Sequence, residues 1–479
     1  MSTTDSVKMR GLRRPGTKDT AMSEPAAKRS EKPSEAEPST RNGAGVQPST
    51  VTGTKAQQAE AVQSRKGQRG FKLWIAVLAV LFVIGGSAIV YRLVEGLSVT
   101  NLNQFVPWGA WIVFYIFFVG LSAGAFLLST LIFVFGMEQY EKVGRYALFT
   151  AFVCMIVALT FVFLDIGRME RFWHSLAYWN ILSMLSWEVR FYLVYVVLLM
   201  TELYFSMRVD LITRSREGTG WVAKLSKWLT LGSTDTSEES QKKDHRWMKI
   251  LGILGIPIAI IGVHGGTGTL FAFVKAQPYW NSALFPIVFV VSALVSGTAL
   301  LTAMYVIQNK VRGREVDVPM VKGLANLMVF FLAIDLLLEF YEFLVGFYNL
   351  EPAEMAIFKV MFTGPFSWSF WGVQILLGSV VPIVIVASKK LRDNVWWLMA
   401  AAILIVIGII GVRFNIVVPT QIVHPLEGMP HGYYSPNLVE WLASIGVVAM
   451  GLIIYSFGAK WLPLEVEDKA EEEEVMTRG

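Results

Sequence analysis

Cysteine is almost missing from this chain, with one among 479 residues, and histidine is scarce, with five. A lone Cys154 cannot close an internal disulfide or hold an iron–sulfur cluster, which needs four ligands. Its place inside an apolar run marks it as a small core residue. Only His264 lies deep in such a run, whereas a haem held by two histidines between helices needs a pair. No haem, no cluster and no metal site is therefore expected in this chain, and any electrons it handles must travel on an organic carrier or a partner's metals. Charge is also thin, at 16% of residues, and what fills the chain instead is 54% hydrophobic and 13% aromatic, well beyond an ordinary soluble domain.

A helix needs roughly 20 apolar residues to cross a bilayer. Ten runs meet that need, at 74–94, 108–135, 147–164, 187–206, 250–273, 284–307, 321–345, 366–387, 396–415 and 438–458. The expected fold is an all-α integral membrane protein of about ten transmembrane helices, with residues 73–460 as its membrane domain. Spans 2–5 and 6–9 make two four-helix sets running in the same directions, flanked by spans 1 and 10. In each set the second helix ends near outer-face acids, Asp165 and Glu339, which resembles a parallel repeat.

Lys and Arg set the orientation. Of the 42, 35 fall on the side shared by both termini, and only Arg92, Arg168, Arg171, Lys275 and Lys359 lie on the other. Both termini are expected in the cytoplasm. Residues 1–72 read as a disordered, basic cytoplasmic tail, too poor in apolar groups to fold alone. Arg13-Arg14 stands about 60 polar residues ahead of the first apolar run, too far for a twin-arginine export signal. Residues 461–479, with the run EDKAEEEE, read as an acidic, solvated cytoplasmic tail.

Against this background the stretch AIDLLLEFYEF stands out, since it carries Asp335, Glu339 and Glu342 inside a span. Ionisable groups in a membrane are costly enough to be functional hypotheses. Most share the outer half: Asp165, Glu188, Arg190, His264, Glu339, Glu342 and Arg413 come from five helices at one depth. Residues three and four apart share a helix face, so Asp335, Glu339 and Glu342 form a ladder about 10 Å tall, suited to passing protons between carboxyls that can give and accept them. Glu202, in the inner half of span 4, extends the route. Each group also has a structural reading. Arg413 and Arg190 can neutralise Glu188, Glu339 or Asp165, Arg168 can pair with Asp165 at a helix end, His264 can be a hydrogen-bonded core residue, and Glu342 can reach the interface. Six acids against two arginines leave more carboxyls than such pairing uses.

The segments NQFVPWGAWIVFYIFFVGLSAG, FLDIGRMERFW, SWEVRFYLVYVVLLMTELYF and YYSPNLVEWLASIG resemble the NrfD-like, or polysulphide reductase membrane-subunit, family, from about residue 72 to 463. The nearer branch is the ten-span one of HybB-type and DsrP-type complexes. The resemblance implies a haem-free subunit of a prokaryotic inner membrane that exchanges electrons between quinone, menaquinone or ubiquinone, and a partner iron–sulfur subunit at the outer face. A catalytic metalloenzyme subunit lies beyond, and no nucleic acid is involved. The family's Asp-Val/Ile-Gly-Arg pattern matches Asp165, Gly167 and Arg168, its next-span Glu matches Glu188, and its membrane His matches His264. Its acid in the seventh span matches Glu339 or Glu342. The sequence departs from the hydrogenase branch in reading GGTGT after His264, and from the familiar members in its long N-terminal tail.

Both lines give one expected mechanism. His264 and Asp165, with Arg190 in the same pocket, hold a quinol, and a carboxylate among Glu188, Glu339 and Glu342 takes its proton while electrons leave to the partner. The second expectation is a proton-translocating or anchoring subunit without quinone chemistry, using Asp335, Glu339, Glu342 and Glu202. The third, a secondary transporter, fits ten spans but not charges crowded into the outer half.

Overall fold

The computed structural model describes the backbone of residues 51–137, 140–423 and 432–465, with side chains from Arg69 onward. Ten of its helices are long and apolar enough to cross a membrane: Arg69–Val99, Ala110–Phe133, Glu141–Asp165, Met184–Glu217, Glu238–Ala272, Phe285–Arg312, Val318–Asn349, Trp368–Ala387, Val395–Ile422 and Leu438–Trp461. They are numbered spans 1 to 10 in chain order. Each overlaps an expected run. The backbone is already helical from Val51, where the tail was expected to lack structure as far as Lys72; residues 1–50 and 466–479 of the two tails lie outside the described residues.

The main length differences occur at the Lys- and Arg-rich face. Span 4 runs to Glu217 rather than 206, and span 5 begins at Glu238 rather than 250. Hydropathy misses these turns because they are polar. Buried Arg208 holds them together, donating to Asp244 Oδ2 at 2.7 Å, Ser233 Oγ at 2.7 Å, the Asp235 carbonyl at 2.8 Å and Ser240 Oγ at 2.6 Å. Helix starts carry the usual side-chain caps, with Asp317 on Met320 N–H and a reciprocal Asn437–Glu440 box opening span 10.

Spans 2, 3, 4 and 5 close one four-helix bundle and spans 6, 7, 8 and 9 a second. The bundles meet where span 2 packs on spans 6 and 9 and span 6 packs on span 5. Exchanging the bundles (2 with 6, 5 with 9) turns the contact of span 2 with span 9 into that of span 6 with span 5, so the packing between the bundles is symmetric under that exchange. Gly124 and Gly297 meet at the seam: a Cβ on Gly124 would lie 1.8 Å from the Ala293 carbonyl oxygen, and one on Gly297 would lie 2.3 Å from the Gly124 carbonyl carbon. Span 10 packs on span 3, and span 1 lies on span 10 through Gly85 against Gly446. Both flanking helices therefore sit beside the first bundle.

Candidate functional site

At the seam, in the half away from the Lys- and Arg-rich face, span 5 meets span 9. Span 5 widens after Pro257 into π-helical turns over Ile258–His264, and the Gly265 N–H donates to the Ile260 carbonyl five residues back. His264 ends that widened segment, 1% exposed. Its Nε2 lies 3.2 Å from Nη2 of Arg413, which is 0% exposed and also donates to Ser292 Oγ of span 6 at 2.9 Å. The guanidinium carbon sits 4.4 Å from the centre of the Phe289 ring, a cation–π contact. A Cβ on Gly120 of span 2 would come within 3.1 Å of the imidazole, so that glycine makes the room.

Within the first bundle, Glu188 is 1% exposed and accepts at Oε1 from the hydroxyls of Tyr115 at 2.9 Å and Tyr192 at 2.6 Å. Tyr192 also lies 2.9 Å from Thr267 Oγ1, one helical turn beyond His264. Polar groups on span 4 continue from there toward the Lys- and Arg-rich face. Buried Tyr195 donates to the Ser122 carbonyl at 3.1 Å, and buried Glu202 follows seven residues later, so Glu188, Tyr192, Tyr195 and Glu202 share one helix face.

The second bundle holds the carboxylates of span 7. Asp335 is 2% exposed and within electrostatic reach of Arg413, as is Glu339. Gln374 of span 8 donates to Glu339 Oε2 at 3.0 Å, and Asn415 of span 9 donates to Gln374 Oε1 at 2.7 Å. Glu342, one turn further along, accepts instead from Ser282 of the loop between spans 5 and 6 at 2.9 Å. The ladder on span 7 thus faces three sets of partners. A narrow cleft opens here, with Tyr279, Phe285 and Phe343 as aromatic walls and Glu339, Glu342, Gln374 and Asn415 as polar groups. Burial, with Glu342 and Glu339 close by, pushes the Tyr279 phenol well above its ordinary value, so it stays a hydrogen-bond donor.

Three expected site residues stand elsewhere. Asp165 lies beside Arg92 and Glu440, near Tyr434 of the loop before span 10, and not with His264. The cation at the end of span 3 is Arg92 of span 1, which donates to the carbonyls of Leu164 at 2.9 Å and Ile166 at 2.8 Å; Arg168, the expected partner, is exposed. The Tyr434 hydroxyl donates to Glu440 Oε1 at 2.6 Å and accepts from the Ala110 N–H at 2.7 Å. Arg190 points away from Glu188, donating to the carbonyls of Ser186 at 2.6 Å and Leu176 at 3.0 Å and lying 4.8 Å over the Trp179 ring. It orders the loop between spans 3 and 4. Tyr115, Tyr192, Thr267, Ser292, Gln374 and Asn415 join the site without having been expected there from the sequence. Gln374 and Asn415, amides inside apolar runs, carried the same signal of costly burial as the charges.

Among the described residues, buried side-chain atoms without a hydrogen-bond partner are mostly groups named above, a polar belt of Asp165 Oδ1, Glu188 Oε2, His264 Nδ1, Asp335 Oδ1, Arg413 Nε and Nη1, and Asn415 Oδ1. Groups of that kind normally find partners, so each calls for an explanation. Among the described residues no three His, Cys, Asp or Glu side chains gather as metal ligands. The lining of the cleft has the chemistry that a quinone head group would use, with flat aromatic and aliphatic walls and polar side chains able to donate to or accept from ring oxygens.

A family model described as polysulphide reductase, NrfD matches residues 98–425. A selenate reductase subunit of Mesobacillus selenatarsenatis is 40% identical over 406 residues, covering 82% of this chain and 94% of that one. The Hdr-like menaquinol oxidoreductase integral membrane subunit of Archaeoglobus fulgidus is 29% identical, covering 83% and 94%. The menaquinone reductase integral membrane subunit of Nitratidesulfovibrio vulgaris is 26% identical, covering 82% and 92%.

Proposed function

Because the chain belongs to the polysulphide reductase NrfD family, we propose that it is the quinone-linked membrane subunit of an oxidoreductase complex, exchanging electrons between membrane quinone and a partner iron–sulfur subunit at the outer face. The names of the menaquinol and menaquinone relatives support the quinone link. The observation that carries the site is the cleft at Glu339, where aromatic walls meet a carboxylate already hydrogen-bonded to Gln374 and an Asn415 oxygen without a partner.

Gln374 and Asn415 would hold the ring oxygens, with Tyr279 as a further donor. When bound, a quinol supplies the electron pair and the protons that accompany it; the protein supplies orientation and proton acceptors. Glu339, on the cleft wall, accepts a proton at its free oxygen, and Asp335, four residues away on the same helix face, receives it next. Arg413 sets a positive charge within reach of both, so that a carboxylate is tolerated at this depth. Arg413 also touches His264, and one helical turn further along span 5 Thr267 opens a separate set of hydrogen bonds through Tyr192 to Glu188 in the first bundle. Lys and Arg bias supports cytoplasmic termini in a cell membrane, which puts this belt nearer the outer face.

The test is turnover of a quinol analogue by the intact complex carrying Glu339→Gln, which keeps the shape and the bond to Gln374. Loss of a proton acceptor should lower turnover by about 10²–10⁴-fold. Unchanged turnover in an assembled complex would overturn this site.

A second reading, a proton-translocating subunit without quinone chemistry, gains from the line Glu188, Tyr192, Tyr195 and Glu202, which reaches the inner half. Glu202→Gln separates the two. Quinol turnover should survive it, whereas a transmembrane proton subunit would lose acidification of proteoliposomes.

A further inference from the structure

Between spans 4 and 5, on the Lys- and Arg-rich face, a short amphipathic helix runs from Gly220 to Leu229. One side faces the protein: Val222, Leu225 and Leu229 are half-buried and Ser226 is 2% exposed. The other presents Trp221 at 51% and Trp228 at 72% exposure, with exposed Lys224 between them and exposed Lys227 alongside. At 100° per residue, Trp221, Lys224 and Trp228 fall within one narrow sector, a spacing of three and then four residues. Leu231, just beyond, is 76% exposed.

Two tethers set the helix at the level where the apolar spans end. The Trp221 ring stands edge-on to Trp461, the last residue of span 10, at 4.4 Å, and Tyr204 of span 4 donates to the Thr230 carbonyl at 3.1 Å. The network around Arg208 holds the following loop. Exposed Lys242, Arg246, Trp247 and Lys249 add further basic and aromatic groups at the start of span 5. Lys243 pairs with Glu239 at 2.9 Å, but Lys224 and Lys227 have no ion pair among the described residues.

We propose that this helix is an anionic-phospholipid site: Trp221 and Trp228 sit at the head-group level of the leaflet, and Lys224 and Lys227 bind lipid phosphates. Tryptophan belongs at that level, because its ring is apolar and its N–H wants a polar partner. Lysines beside a bilayer surface are drawn to anionic lipid. The charge favours a lipid surface over a basic or neutral protein partner, and the proximity to two span ends places the rings where lipid is.

The test uses the complete complex in detergent, titrated with phosphatidylglycerol or phosphatidylcholine and read by native mass spectrometry. Wild type should retain phosphatidylglycerol preferentially, and Lys224→Gln with Lys227→Gln should weaken that retention about tenfold or more, the size expected for two lysines at an anionic surface. Phosphatidylcholine retention and detergent-solubilised turnover should not change. In liposomes of lipid brominated near the head group, Trp228→Phe should remove part of the tryptophan quenching. Equal phosphatidylglycerol retention by the double variant, or quenching unchanged in Trp228→Phe because a protein partner covers that face, would overturn the proposal.

Discussion

Arg413 brings a full charge to a position with no exposed surface, and its neighbours explain why the chain tolerates it. Desolvation costs several kcal/mol, offset by one hydrogen bond to Ser292, the Phe289 ring face, and the field of Asp335 and Glu339. Removing the guanidinium leaves those carboxylates without their cation. Arg413→Gln is expected to destabilise the protein by about 3–5 kcal/mol, measured as denaturant unfolding in detergent, and to abolish quinol turnover. Arg413→Met combined with Asp335→Leu should recover much of the stability, since replacing buried opposite charges by apolar groups is often neutral, but not the turnover. Recovery of both would make the two charges merely structural. Arg190 is the contrasting case. It stands two residues from Glu188 in sequence, yet on a helix residues that close point to different sides, and its guanidinium serves a loop.

At the scale of helices, the two bundles approach through glycine. Gly124 lies in GAFLL and Gly297 in GTALL, and each admits the other's backbone. Small residues let membrane helices pack closely where no hydrophobic effect drives them together. Gly124→Val should force spans 2 and 6 apart and, with them, His264 from Arg413. Expected are poor assembly on size-exclusion chromatography and at least tenfold lower turnover in what assembles, since seating a side chain there costs about 1–3 kcal/mol or more. Gly86→Ala, where an added Cβ meets nothing within 4 Å, is the control and should behave as wild type. The widened turns of span 5 belong to the same scale. π-helical segments often mark functional positions, and this one ends on His264. Pro257 cannot donate to the helix ladder, and in the wider turns that follow it Gly262 packs against Phe191.

For the whole molecule, ten spans and the Lys and Arg bias make one topological statement that labelling can check. Cys154, the one native cysteine, is buried, so introduced cysteines report cleanly. Ser98→Cys, exposed in the last turn of span 1, should react with a membrane-impermeant maleimide in right-side-out vesicles. Gln241→Cys, in the exposed segment opening span 5, should react only after permeabilisation. The reverse pattern would invert the protein and move the polar belt to the cytoplasmic side.

The linear chain was enough for the ten spans, because a bilayer imposes one length on every helix. The ladder Asp335, Glu339 and Glu342 was legible for the same kind of reason, as it lies on one helix and its spacing is local. Which helices face each other is not local, and there the tertiary structure decided. It set Asp165 beside Arg92 instead of His264, brought Arg413 to His264 across the seam, and gave Glu339 its partners Gln374 and Asn415 from two other spans. The physical reason is that depth follows from the membrane, which acts on each helix alone, whereas contact follows from side-chain packing between helices distant in sequence.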